Sequence, residues 1–193
     1  MNRRGLLRGA AAAAATGVLL PAARAHAAAR AGTDYPPARW APASTANCTA
    51  SDRPSEYPVE YVVIHVTQLG FTDTLRVFQN PAKRVSAHYV VRSADGCVAQ
   101  CVGERDVAWH AGNWDYNTRS VGIEHEGWVD QPKYFTRAMY EQSAALTASV
   151  CDRHGIPKDR AHIIGHCEVP GATHTDPGPL WDWGRYIELV NFV

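Results

Sequence analysis

Tyr61–Val66 reads Tyr-Val-Val-Ile-His-Val, a continuous β-branched run whose first polar interruption is a histidine at its fifth position. A strand that is apolar on both faces must be covered on both, so this segment belongs inside a sheet with helices packed on either side. The following segments supply that cover. Residues 72–80 have helical spacing, with Leu75 and Phe78 inward, and Pro81 ends them. Residues 136–154 form the longest helical pattern, with Met139, Ser143, Leu146 and Val150 on one face and Gly155 as the stop. Residues 181–192 close the chain as a further helix. Strands are expected at 86–91 and 98–102, joined by the Asp95-Gly96 turn, and at 120–125 and 161–165. This alternation predicts a single α/β domain with a central mixed β-sheet flanked by helices.

The segments ahead of this pattern read differently. Residues 1–27 carry Arg3, Arg4, Arg8 and Arg24 and no acidic residue, with an uncharged Ala-rich stretch from Gly9 to Ala23. Ala25-His26-Ala27 is a small-x-small site, so residues 1–27 read as a cleaved signal peptide, and the paired arginines give it a twin-arginine character. The alternative is an uncleaved anchor, but the uncharged run of about 15 residues falls short of the ~20 that span a bilayer. The reading is therefore a secreted, cell-wall location with no stable membrane anchor after cleavage. Residues 28–58 contain Pro36, Pro37, Pro42, Pro54 and Pro58 and read as an extended arm, with Trp40 as the residue that pins it. The compact domain then occupies 59–193.

Charge excludes one large class of partner. The whole chain balances 19 basic against 19 acidic residues, and without residues 1–27 it carries a formal charge of −4. No electrostatic footprint for nucleic acid exists, and a monomer is the default state. Five cysteines suit an exported protein. Cys97 and Cys101 are separated by four strand steps, roughly 13 Å, too far to bond to each other. A disulfide from Cys48 on the arm to Cys97 or Cys101 is expected, with Cys101 preferred. Cys151, within a helix, reads as a small buried apolar residue.

His65 lies near the end of the first buried strand, and His166 directly follows Ile163-Ile164-Gly165. Sheets of this kind build their sites at the carboxyl ends of strands. Asp176 follows ten residues after His166, in Thr175-Asp176-Pro177-Gly178-Pro179. Two imidazoles and one carboxylate suit a catalytic zinc site that keeps a position open for water. Spacing alone leaves open the reading that these histidines are hydrogen-bonded structure.

The ordered blocks are more specific. Along the chain come Tyr61-Val62-Val63-Ile64-His65-Val66-Thr67, Val85-Ser86-Ala87-His88-Tyr89-Val90-Val91 and Ala108-Trp109-His110-Ala111-Gly112. Asn117-Thr118-Arg119-Ser120-Val121-Gly122-Ile123-Glu124, Ile164-Gly165-His166 and Thr175-Asp176-Pro177-Gly178-Pro179 follow. In this order they resemble the zinc-dependent N-acetylmuramoyl-L-alanine amidases of type 2, which include phage lysozyme-amidases and peptidoglycan recognition proteins. The resemblance spans roughly residues 57 to 190 and makes 59–193 a zinc amidase catalytic domain. It implies Zn2+ held by His65, His166 and Asp176, with Glu124 as the catalytic acid–base. It implies peptidoglycan as the substrate, cut between N-acetylmuramic acid and L-alanine. Tyr89 then reads as a pocket wall or secondary polar group, and Trp109, His110 and Asn117 as further residues of the substrate pocket.

One position departs from the family. Many members have a lysine two residues before the third ligand, steadying the oxyanion; this chain has His174, which could donate in its place. The alternative makes His174 the third ligand and Asp176 its outer partner. A non-catalytic peptidoglycan-binding protein of the same fold is the competing function, although the presence of Asp176 and Glu124 counts against it.

The remaining polar residues have plainer readings. His88 and His110 suit structural hydrogen bonding, and Asn117 the closing of a turn. His125 alternates to the face opposite Glu124, towards solvent or behind the site. His154 and His162 read as caps or exposed rings, and Cys167 as pointing away from His166 on an extended segment. Trp109, Trp114, Tyr116 and Trp128 surround the Glu124 strand as packing or stacking surfaces.

Overall fold

The structure, a computed structural model, describes residues 32–193. The readings placed on residues 1–27 lie outside the described residues. In chain order the elements are β1 (Arg39–Trp40), β2 (Cys48–Thr49), β3 (Tyr61–Val66), α1 (Phe71–Gln79), β4 (Tyr89–Val91) and β5 (Val98–Gln100). They continue as β6 (Val107–Ala108), α2 (Trp114–Arg119), β7 (Ser120–His125), α3 (Arg137–His154), β8 (Ile163–Gly165) and α4 (Trp183–Phe192). Six strands form one mixed sheet in the order β1-β5-β4-β7-β3-β8, and β2 pairs with β6 separately. The expected α/β domain with a mixed sheet between helices is what the chain forms.

β3 sits centrally, parallel to both β7 and β8, and β4 is parallel to β7. The hairpin partner β5 runs antiparallel to β4, and the edge strand β1 runs parallel to β5. The two faces of the sheet differ. Val62, Ile64, Val121, Ile123 and Ile163 join Met139, Tyr140, Leu146 and Val150 of α3 and Tyr186 and Val190 of α4 in the main core. The opposite face carries smaller clusters: Val63, Ala111, Ile164 and Val169, and Phe78 of α1 with Ala87, Val90 and Cys101. α3 starts where Thr136 accepts from the Met139 N–H and ends at Gly155, whose φ of 70° suits a left-handed cap.

Several expectations are corrected. The 86–91 strand shortens to β4, since the Ser86 N–H turns to the Trp109 carbonyl in place of a neighbouring strand of the main sheet. α2 and the short strands β1, β2 and β6 carry too few residues to show a period. The arm from 28 to 58 is more than an extended cover: β1 adds an edge to the sheet beside β5, and Arg53 is buried. The Trp40 side chain is half exposed and it is the backbone there that joins the sheet, opposite Gln100, whereas Tyr35 enters the main core. The Cys48–Cys101 disulfide is not formed, and all five cysteines are free. Cys101 packs against Phe78, Ala87 and Val90, while the Cys48 thiol faces the Ser44 carbonyl. Burial pushes the two thiols up to about 12 and about 11 respectively, so neither is a ready thiolate.

Two buried charges organise the end of the sheet away from His65 and His166. The Arg53 guanidinium donates to the Glu104, Thr118 and Ser120 carbonyls, joining the arm to the start of β7. Glu104 is 2% exposed and takes hydrogen bonds from Tyr89, Arg153 and His154. His154 is thereby a half-buried partner rather than an exposed ring. Burial alone would raise the Glu104 carboxyl, but its donors overturn that and hold it at about 2. A carboxylate depressed on folding stabilises above its unfolded pKa and loses that stabilisation as pH falls through the folded value. The loss is on the order of 3 kcal/mol between about pH 4.5 and pH 2. Glu104→Gln should therefore unfold more easily at neutral pH and show a flatter stability profile below pH 4.5, read by urea denaturation across pH. A profile identical to the unaltered protein would refute this role.

Candidate metal centre and active site

In-register parallel pairing sets His65 of β3 directly beside Glu124 of β7. On the other flank Ile64 pairs with Gly165, so the chain delivers His166 next to His65, with ring centroids 4.5 Å apart. Gly165 has no side chain, and a Cβ there would lie 2.6 Å from Pro177 Cδ. That close approach brings the neighbouring Asp176 under the two rings.

His65, His166 and Asp176 are all buried, and one ligand atom from each lies within 4.8 Å of the others. His65 Nδ1 is 3.3 Å from Asp176 Oδ2, and His166 Nδ1 is 3.1 Å from Oδ1. Bonds of ~2.0–2.1 Å in a tetrahedral shell give ligand–ligand edges of about 3.3 Å, so the spacing suits one small divalent cation. Burial opposes charge on Asp176, yet the two imidazoles that face it hold its carboxyl well below the usual range. Burial pulls the His65 imidazole down, which favours the neutral ring that binds metals.

Glu124 completes the group. Its Oε2 is closed to solvent and has no hydrogen-bond partner. Burial, and then the negative charge of Asp176, push this carboxyl well above its ordinary value. An orphaned buried carboxylate oxygen costs free energy unless a reacting water or proton uses it. These residues form one wall of a groove of about 640 Å³, which Trp109, His110, Asn117, Trp114, Arg84 and His174 also line. The Arg84 guanidinium lies 4.6 Å from the Trp109 ring centre.

His174 is largely exposed and stacks on His166, with centroids 4.7 Å apart at 15°. Its Nδ1 stays 4.0 Å from Asp176 Oδ1, outside the converging triad, so the geometry favours Asp176 over His174 as the third member. Trp109 and Asn117 do reach the groove. His110 reaches it too, but its ring nitrogens face His65 Nε2 at 3.0 Å and Ser120 Oγ at 3.2 Å. Asn117 turns its Oδ1 inward to the N–H groups of His110 and Ala111, and it is Asn113 that caps α2.

Tyr89 is corrected outright. It is fully buried in the main core, its hydroxyl donates to Glu104, and it does not border the groove. Its position in β4 turns it to the face opposite Val90, the residue in register with Glu124. His125 does face away from Glu124, but into the core and not solvent, where it contacts the His65 carbonyl and Ser143. Cys167 lies in a 3₁₀ turn rather than an extended segment, and is exposed where His166 is buried. His88, also buried, accepts from the Gly122 N–H. The outer partners Ser120 and Gly122 were missed; the only sequence signal for them was their place four and two residues before Glu124 on the same strand face.

A cation-sized cluster of two imidazoles and a carboxylate, beside a second carboxyl raised by burial, is the equipment of a hydrolase. The comparisons agree. Residues 55–179 match the N-acetylmuramoyl-L-alanine amidase family Amidase_2, and the chain belongs to that family. It is therefore a hydrolase of the amidase type. N-acetylmuramoyl-L-alanine amidase A of Achromobacter lyticus is 35% identical over 176 residues, covering 82% of this chain and 96% of that protein. The 1,6-anhydro-N-acetylmuramyl-L-alanine amidase AmpD of Escherichia coli K12 is 41% identical over 114 residues, covering 56% of this chain and 60% of that protein. A crystal structure of a selenomethionine derivative of AmpD superposes with a TM-score of 0.67 at 30% identity, over 81% of this chain and 96% of that one.

One consequence of the packing is directly measurable. A Cβ at Gly122 would lie 2.5 Å from His110 Cγ, and the His110 ring is held at both nitrogens. Gly122→Ala should cost about 1–3 kcal/mol of stability, because neither strand nor ring can yield freely. Equilibrium denaturation checks this, and an unchanged midpoint would show the ring free to move.

Proposed function

We propose that the protein is an exported zinc amidase that hydrolyses the amide between N-acetylmuramic acid and L-alanine in peptidoglycan. The observation that carries this reading is the convergence of His65, His166 and Asp176 beside the unpartnered Oε2 of Glu124 on one groove wall. Relatives whose names specify that amide bond support the choice of substrate.

His65, His166 and Asp176 would hold the zinc. Bound there, zinc supplies Lewis acidity, drawing charge onto the amide oxygen and easing ionisation of water. Glu124 takes one proton from the attacking water as the oxygen–carbon bond forms. It returns that proton to the L-alanine nitrogen as the carbon–nitrogen bond breaks, because an amide nitrogen must be protonated to leave. A raised carboxyl suits both halves of this exchange. His174, stacked on His166 and open to the groove, donates to the developing oxyanion. The products are a lactyl carboxylate on the muramic acid and a free amine on the stem peptide. Trp109 and Arg84 offer the glycan or peptide a flat cationic–aromatic wall. Export rests on residues 1–27, and no helix among the described residues is long and apolar enough to cross a membrane.

Purified protein incubated with cell wall should release free stem peptides, identified by mass, and a chelator should abolish that release. Glu124→Gln should retain one zinc per chain while losing about 10²–10⁴-fold in turnover. Asp176→Ala should lose metal and activity together. Intact muropeptides retained uncut by the zinc-loaded protein would instead mark a binding protein. Cleavage after Ala27 is checked by N-terminal sequencing of the secreted form; a secreted chain that still begins at Met1 would refute the signal.

A further inference from the structure

A backbone carbonyl only accepts hydrogen bonds, and this fixes the protons behind the converging side chains. Ser120 Oγ lies 2.5 Å from the Tyr116 carbonyl, so its hydroxyl donates there. Towards His110 Nε2, 3.2 Å away, the same oxygen can then only accept, which places a proton on that nitrogen. His110 is buried, and its ring nitrogens meet Ser120 Oγ and His65 Nε2 with no carboxylate among their partners to balance a charge. A neutral ring protonated at Nε2 is bare at Nδ1. That lone pair, 3.0 Å from His65 Nε2, makes His65 the donor and leaves His65 Nδ1 bare in turn.

His166 obeys the same rule through a different partner. Its Nε2 is 3.3 Å from the Ala111 carbonyl and must donate, so in the neutral form that binds a metal the lone pair sits on Nδ1. Both bare nitrogens face the Asp176 carboxylate, at 3.3 and 3.1 Å. Three acceptors turned on one point have no proton to share and are reconciled by a cation.

The two outer partners are consecutive residues, and one side chain fastens both. Asn117 Oδ1 accepts from the His110 N–H at 3.0 Å and the Ala111 N–H at 2.8 Å. Gly122 leaves the space that the His110 ring fills. We propose that His110 and the Ala111 carbonyl, fastened together by Asn117, act as one positioning clamp that sets the tautomers of both metal-facing histidines. The proposal rests on the reading of His65, His166 and Asp176 as ligands. It moves His110 and Asn117 from the substrate pocket to the support of the metal site.

The test uses two readouts besides activity. In metal-free protein labelled with ¹⁵N-histidine, ring-nitrogen shifts should report His65 and His166 as the Nε2–H tautomer; an Nδ1–H tautomer at either overturns the clamp. In chelator competition, His110→Ala should bind zinc about 10–100-fold more weakly than the unaltered protein. His110→Asn, whose amide oxygen can still accept from His65 Nε2, should recover to within about threefold. Unchanged affinity in His110→Ala, or no recovery in His110→Asn, overturns the proposal. Melting of the metal-free variants checks folding; if His110→Ala does not fold, Ser120→Ala decides, expected to weaken zinc by at least about threefold and refuting the relay if it does not. Unaltered protein that takes up no zinc removes the ligand reading, while the tautomer measurement still decides the clamp separately.

Discussion

Parallel registration of β3 with its two neighbours governs everything at the carboxyl edge of the sheet. His65 opposes Glu124 because Ile64 opposes Ile123, and His166 arrives beside His65 because Ile64 also opposes Gly165. A slip of one residue would turn an entire strand over and send its histidine or glutamate into the helix-covered core. Burial forbids that slip, since Val62, Ile64, Val121, Ile123 and Ile163 are wholly enclosed on the α3–α4 side. The apolar face thus specifies the position of polar groups it never touches.

The same division explains how a small domain tolerates so much buried polarity. The face that carries His65 and Glu124 is packed with small residues, Ala111 and Gly122 among them, and loops rather than a long helix close over it. Loops bring backbone carbonyls and N–H groups, which satisfy histidine rings that an aliphatic surface would strand. At the far end, Arg53 and Glu104 perform a comparable task by taking their partners from several chain segments at once. Removing one member of such a set leaves the rest buried and unpaired, which costs more than the lost bond.

Long, strongly patterned segments were legible from the chain alone. The run Tyr61–Val66, the helix capped by Thr136 and Gly155, and the Asp95-Gly96 hairpin all fall where local chemistry puts them. So did the convergence of His65, His166 and Asp176, although ordered family motifs carried that inference and spacing did not. What escaped was non-local. Two-residue strands have no period, and Arg53 is an ordinary charged residue until the fold encloses it. Tyr89 reads as a pocket residue because strand alternation was not referred to Glu124; register turns it to Glu104 instead. A Cys48–Cys101 bond follows from compartment and cysteine count, neither of which says where a thiol points.

His65 is held by more than its ring. The ring of His125, on the other face of the sheet, lies 2.8 Å from the His65 carbonyl; since that oxygen accepts, His125 Nδ1 carries the proton. His125 Nε2 then accepts from Ser143 Oγ at 2.6 Å, in a cluster with the Tyr186 and Thr147 hydroxyls. The end of β3 is therefore tied through its backbone to α3 and α4, while its side chain is tied through His110 to the loop ahead of α2. Motion of either helix would displace the carbonyl, and motion of the loop would rotate the ring. Stiffness at this residue follows from two polar chains on opposite faces of the sheet meeting in one amino acid, so the precision of the candidate metal site does not depend on the cation itself.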